Sequence, residues 1–230
     1  MKSGRADSSA LGCGAGNRPE AAPMQHLRCF PSLMAAALLL SGAAFAQDPA
    51  AALEPSAPAK ATFAGGCFWC MEEAFEKVEG VIEVVSGYTG GERKNPSYQQ
   101  VSAGGTGHAE AIEIRYDPAR IGYAELLEIF WRNIDPTTPD RQFCDRGSQY
   151  RSAIFYHDDE QKRLAQATKS KLQQTKPFEG PIVTPIEPAG AFYPAESYHQ
   201  DYYQKNPLRY KFYKFNCGRA QRLEALWGKP

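Results

Sequence analysis

Apolar residues recur along this chain with two periods, and the switches between them delimit elements. Thr62-Phe63-Ala64 reads as a short buried strand and Gly65-Gly66 as a tight turn. Cys67 to Val78 then places Phe68, Met71, Phe75 and Val78 at helical spacing, before Gly80 ends the helix. A strand is expected from Val81 to Tyr88, followed by a loop through Gly91, Asn95 and Pro96. His108 to Tyr116 alternates, with Glu110, Ile112, Ile114 and Tyr116 on one face and Ala111, Glu113 and Arg115 on the other. Tyr123 to Ile134 predicts a helix burying Leu126, Leu127, Phe130 and Ile134, and Tyr150 to Tyr156 a strand. Asp158 to Thr175 predicts a long charged helix behind an Asp cap, and Pro181 to Ile186 a last strand. This order implies an α/β fold, a two-layer α+β sandwich with helices packed on a mixed sheet.

Both ends differ from this middle. From Ala191 to Phe215 the chain is crowded with Phe192, Tyr193, Tyr198, Tyr202, Tyr203, Tyr210, Phe212, Tyr213 and Phe215. Rings with polar tips suit a segment wrapped over the domain surface, rings buried and hydroxyls bonded; a stacking surface for sugars or bases is the functional alternative. At the other end, weak positive charge in Met24 to Arg28, an apolar run over Ser32 to Leu40, and Ala44-Phe45-Ala46 have the layout of a secretory signal cleaved after Ala46. Residues 1–46 are therefore expected to be an N-terminal extension plus signal, 47–60 an Ala/Pro-rich linker, and 61–230 the folded domain. Translation from Met24 and an uncleaved anchor are the competing readings.

Composition narrows the function classes. The 230 residues carry 26 Lys and Arg against 26 Asp and Glu, and loss of the leader would leave on the order of two net negative charges. That balance argues against nucleic acid as a partner. No run is long enough to hold the mature chain in a bilayer. Six Cys are too few for a disulfide scaffold, so each needs its own account. Cys13 and Cys29 would leave with the leader, and the exported domain keeps Cys67, Cys70, Cys144 and Cys217.

The chemistry concentrates at Gly65-Gly66-Cys67-Phe68-Trp69-Cys70-Met71-Glu72. A Cys in the first turn of a helix meets unpaired N–H groups and the positive dipole end, which predicts a lowered thiol pKa at Cys67. Cys70 lies one turn on, near enough for a disulfide across the helix start. A zinc site from Cys67, Cys70, Cys144 and Cys217, with His108, His157 or His199 as substitutes, is the competitor. It lacks a second close Cys pair, so no metal is expected.

Together, Gly-Cys-Phe-Trp followed by Glu, Gly87-Tyr88-Thr89-Gly90-Gly91, Pro96-Ser97-Tyr98, Gly107-His108-Ala109-Glu110-Ala111, Tyr116-Asp117-Pro118 and Gln149-Tyr150-Arg151-Ser152 resemble the A-type peptide methionine sulfoxide reductases. The resemblance runs from about Thr62 to Trp227 and rests on several motifs in one order. It implies reduction of the S epimer of methionine sulfoxide, free or in proteins, with no bound cofactor and a thioredoxin-like protein as reductant. It assigns Cys67 as the nucleophile that becomes a sulfenic acid and Glu110 as the acid that protonates the departing oxygen. Phe68 and Trp69 match the apolar pocket for the substrate methyl, and Tyr98, Tyr150 and Asp145 match its polar wall. Glu110 shares the Ile112 and Ile114 face, where burial would keep its proton.

The resolving thiol is open among three. Cys217 ranks first, because many family members carry a resolver in the C-terminal segment and Gly218 would let it swing. Cys70 ranks second. Cys144 ranks third, a buried structural thiol being its alternative role. Ile134, where many members have His, should affect only loop packing. Two other classes compete with the reductase: a general disulfide oxidoreductase built on Cys67-Phe68-Trp69-Cys70, which leaves Glu110 without a role, and a noncatalytic binding module using the aromatic C-terminal segment. If the leader acts, the enzyme is periplasmic or secreted and its reductant must be exported too.

Overall fold

One central strand organises the molecule. The computed structural model describes residues 57–229, so the expected signal and nearly all of the linker lie outside the described residues. In chain order the elements are β1 (Ala59–Gly65), α1 (Phe68–Glu76), β2 (Val81–Thr89), α2 (Tyr98–Ser102), β3 (Ala109–Tyr116), α3 (Tyr123–Arg132), β4 (Arg141–Gln142), β5 (Asp145–Arg146), β6 (Ser152–Tyr156), α4 (Asp159–Thr175), β7 (Ile186–Pro188), β8 (Tyr193–Pro194), α5 (Tyr202–Lys205), α6 (Pro207–Asn216) and α7 (Arg219–Trp227). Six strands form one sheet in the order β7-β6-β1-β3-β2-β8, and β4 and β5 make a separate small ribbon. Only the β6–β7 pairing is parallel, so the sheet is mixed, as the α/β expectation has it. β1 starts at Ala59, two residues before the expected domain start.

The register of β1 shows why the core forms where it does. Phe63 stands opposite Ile112 of β3 and Ile154 of β6. Its ring stacks on Phe130 at 4.9 Å and lies 5.7 Å from Phe75. Met71, Ile112, Ile114, Leu126 and Leu127 complete this fully buried layer between the sheet and its helices. The other sheet face carries small residues, Ala64, Ala109, Ala111 and Ala153 beside Phe155, against which Ala189 and Phe192 pack. Asp158 caps α4 as predicted, its carboxylate accepting from the Gln161 N–H at 2.8 Å.

Three expectations need correcting. Residues 181–185 are not a strand: Pro181 and Pro185 cannot donate to a ladder, and the Ile182 and Val183 N–H groups bond to Gln173 Oε1 and Pro136 O instead. Strand pairing begins only at Ile186. β6 starts at Ser152, because Gly147 at φ 121° turns the chain into a short 3-10 turn over Ser148–Tyr150. The aromatic C-terminal segment is largely helical, and it buries only part of its rings. Tyr202 and Tyr210 are buried, whereas Tyr198, Phe212 and Phe215 are exposed. Tyr203, Tyr210 and Tyr213 do donate their hydroxyls, to Glu76, Glu73 and Asp145. Among the described residues no helix is long and apolar enough to cross a membrane.

Candidate active site

The site is built where β1 runs out. Gly66 takes φ +82°, and a Cβ there would sit 2.5 Å from Gln142 Cβ, so both backbone angle and space require glycine. Gln142 is buried and its side chain pins the Asp135 peptide, accepting at 2.8 Å and donating at 2.7 Å. The β4–β5 ribbon is thereby held against the turn before Cys67. Ile134, fully buried, packs close to Gly65. Cys67 is the N-cap of α1 and only 6% exposed.

Glu110 approaches from β3, where it pairs across the sheet with Tyr88. It is 3% exposed, and its Oε2 accepts the Phe68 N–H at 3.1 Å. Burial pushes its carboxyl up to about 8, with the Asp145 and Cys70 charges adding to the shift and the Phe68 N–H opposing it. Cys67, Phe68, Trp69, Tyr98, Glu110, Asp145, Tyr150 and Tyr213 line one cavity of about 60 Å³. The structure thus brings together seven residues singled out from sequence. Pockets that engulf drug-sized ligands hold ~300–1,000 Å³, so this cavity suits only a small group. Burial, followed by the charge of Glu110, pushes Tyr98 up to about 12 and raises Tyr150 also, so both phenols keep their protons.

The aromatic wall is braced from the C-terminal segment. Trp69 stacks on Tyr202 at 3.8 Å, and its indole N–H donates to His199 Nδ1 at 3.1 Å. That bond assigns the His199 proton to Nε2, and burial lowers the ring's pKa, keeping it neutral. Tyr98 donates its backbone N–H to Glu196 Oε1 at 2.8 Å, next to His199, whose ring is 4.4 Å from that of Tyr98.

The thiols depart from the simple expectation of a lowered pKa at Cys67. Burial pushes the Cys67 thiol up, and the neighbouring Cys70 and Glu110 add to the shift. The lowered thiol is Cys70, drawn down to about 6 chiefly by the hydrogen bond from Cys67 and further by the Arg219 and Lys214 charges. Dipole and cap N–H groups at the helix start are outweighed by a nearly complete loss of water and by the second sulfur.

Cys217 and Cys144 are bonded to each other across a separation of 73 residues, while Cys67 and Cys70 are free and buried. Cys144 is therefore not a buried structural thiol but an exposed half of a disulfide. Cys217, ranked first as resolver, is half of this bridge, and Cys70 is the free thiol beside Cys67. Both bridge sulfurs lie against Asp145: Cys144 Sγ is 3.6 Å from Oδ1 and Cys217 Sγ 3.9 Å from Oδ2.

Sequence reasoning missed three residues here. Tyr213 and His199 sit among many other aromatic and polar C-terminal positions, and nothing in their spacing sets them apart. Arg219, 3% exposed, bonds to the Asn133 carbonyl, stands 3.5 Å from the Gly65 carbonyl, and stacks over Phe143 at 4.4 Å. A buried Arg looks like any surface Arg until the chain is folded.

Comparison with known proteins finds a family model described as "Peptide methionine sulfoxide reductase" that matches residues 59–230. "Peptide methionine sulfoxide reductase MsrA" of Bacillus licheniformis is 52% identical over 169 residues, 74% of this chain and 93% of that protein. Its counterpart in Listeria monocytogenes strain HCC23 is 51% identical over 168 residues, 73% and 95% of the two chains. Among solved structures, reduced Mxr1 from Saccharomyces cerevisiae is 37% identical with a TM-score of 0.61, covering 67% of this chain and 88% of that one. Methionine sulfoxide reductase A of Corynebacterium diphtheriae is 33% identical with a TM-score of 0.58, covering 67% and 79%.

Proposed function

Because the chain belongs to the peptide methionine sulfoxide reductase family, we propose that the cavity at the end of β1 is where it reduces the S-sulfoxide of methionine, with Cys67 as nucleophile and Glu110 as acid. The observation that carries these roles is a thiol, a carboxyl that holds its proton to about pH 8 and two aromatic rings converging on one cavity of about 60 Å³. Cys67 sulfur attacks the sulfoxide sulfur while Glu110 gives its proton to the oxygen, and methionine leaves as the oxygen passes to Cys67 as a sulfenic acid. Phe68 and Trp69 face the methyl group, which suits the affinity of sulfur and its substituents for ring edges. Tyr98 and Tyr150, held protonated, are hydrogen-bond donors for the sulfoxide oxygen.

Cys70 is the first resolver in this reading, which reverses the ranking of the sequence stretch around Cys217. Its thiol is free, buried one turn from Cys67, and ionises at about 6. The Cys70 thiolate attacks the sulfenic sulfur, a Cys67–Cys70 disulfide forms as the S–O bond breaks, and the hydroxide takes a proton from solvent and leaves as water. Two electrons from a dithiol protein of the thioredoxin type restore both thiols. The leader pattern over residues 24–46 supports action in the periplasm or outside the cell, with an exported reductant; fractionation with N-terminal sequencing of the mature chain tests it, and a start upstream of Gln47 in cytosolic fractions overturns it.

The chemistry is tested by following methionine formed from its S-sulfoxide with dithiothreitol. Cys67→Ser should form none, and near-native product from that variant would overturn the mechanism. A general disulfide oxidoreductase or a binding module predicts no methionine even from the native chain.

A further inference from the structure

Burial leaves the proposed nucleophile protonated at neutral pH, so something must take its proton as it attacks. Glu110 cannot serve, because it is needed as the acid for the sulfoxide oxygen. Cys70 is hydrogen-bonded to Cys67, yet a proton parked there would neutralise the thiolate that has to attack the sulfenic acid next. Tyr98 and Tyr150 also face Cys67, but both are held as donors. The remaining oxygen-bearing side chains on the cavity wall are Asp145 and Tyr213, and no motif singled out the second.

We infer that Tyr213 is a further catalytic residue, its phenol relaying the Cys67 thiol proton to Asp145. The Tyr213 hydroxyl donates to Asp145 Oδ2 at 2.5 Å and shares the wall of the small cavity with the Cys67 thiol, with which it interacts, so one oxygen lies between the two groups. As Cys67 attacks, its S–H bond breaks and the proton passes to the phenol oxygen, while the phenol's own proton passes to Asp145 Oδ2. The phenol is neutral before and after, and one negative charge moves from Asp145 to sulfur. Burial raises the proton affinity of Asp145, which makes it a receptive terminus. No electrons are exchanged in this step.

The fold holds the relay on both sides. The Tyr213 ring meets Trp69 edge-on at 6.0 Å. One turn further along α6, the Cys217 N–H bonds to the Tyr213 carbonyl at 2.9 Å, and Cys217 is bridged to Cys144, the residue before Asp145. The disulfide therefore ties the segment bearing the relay hydroxyl to the segment bearing its acceptor, with Cys217 Sγ 3.9 Å from each oxygen. This assignment rests on Cys67 being the nucleophile.

The test measures single-turnover reduction of free methionine S-sulfoxide by enzyme prereduced with dithiothreitol. Tyr213→Phe keeps the ring and should lower the rate about 10²-fold while KM stays within about twofold. Asp145→Asn, which changes no residue of α6, should give a comparable loss, and the double variant should be no slower than the slower single. In a Cys70→Ser background, the pH midpoint for alkylation of Cys67 should rise when Tyr213→Phe is added. Tyr203→Phe, whose hydroxyl bonds Glu76, should keep its native rate. A Tyr213→Phe rate within threefold of native, additive losses in the double variant, or an unmoved Cys67 midpoint would each overturn the relay. Activity surviving in Cys67→Ser would instead overturn the reading beneath it.

Discussion

The two cysteine pairs of the domain have the same atoms and opposite fates. Cys67 and Cys70 lie at the buried start of α1, 6% and 4% exposed, and are free thiols. Cys144 and Cys217 are joined, and Cys144 is exposed. Neighbours make the difference. In the first pair, burial and the mutual effect of the two sulfurs shift the thiols apart, with Glu110 raising Cys67 and Arg219 and Tyr210 lowering Cys70, so that one holds its proton and the other gives it up. The second closes a loop between the β4–β5 ribbon and the end of α6, where its constraint on the chain is covalent. In our reading, a buried pair with split proton affinities carries the reaction, and a bridged pair shapes the wall around it.

The largest way to break this comparison is Cys67→Ser, expected to lower turnover at least about 10⁴-fold; the same substitution at Cys144 should leave it within about tenfold. Glu110→Gln should cost about 10²–10⁴-fold in kcat/KM. In the native enzyme the acid function should fade as pH rises through about 8, where Glu110 loses its proton; a flat profile from pH 6 to 10 would contradict it. Cys70→Ser should give one methionine per enzyme and then stall with a thioredoxin-type reductant, whereas Cys217→Ser should continue to cycle. The opposite outcome would exchange the roles of the two pairs.

Smaller effects concern stability. Reducing or removing the Cys144–Cys217 bridge frees a 73-residue separation in the unfolded chain and should destabilise the domain by about 2–4 kcal/mol, seen as a lower midpoint in urea. Glu110 has a folded-state pKa raised far above its ordinary value, so its favourable contribution is complete below about pH 4.5 and is lost as pH rises toward 8. Glu110→Gln should accordingly raise Tm at pH 8 and change it little at pH 4.5. Equal shifts at both values would show that the carboxyl is not the titrating group.

Much of this was legible before folding because local rules and tertiary demands agree. The 3.6-residue spacing of Phe68, Met71 and Phe75 matches the buried face of α1, and the alternation through Glu110, Ile112 and Ile114 matches the core face of β3. The Asp158 cap is purely local, and so it was visible. Where the chain uses partners far off in sequence, the reading failed. Residues 181–185 look like a strand by alternation, but prolines and bonds to Gln173 and Pro136 keep them out of the sheet. The rings of α6 look uniformly apolar, yet Phe212 and Phe215 point outward while Tyr210 is buried and Tyr213 lines the cavity.

The sequence by itself determined the elements of the core, the glycine turn that presents Cys67 and the set of motifs that resemble one family, because each is written in neighbouring residues or in a short period. Only the tertiary structure decided which thiol is acidic, which cysteines are paired, and that Tyr213 stands between Cys67 and Asp145. Proton affinity and bonding depend on burial and on charges a few ångströms away, and apart from the effect of Cys67 and Cys70 on each other those neighbours come from positions far along the chain, as with the separation of 73 between Cys144 and Cys217.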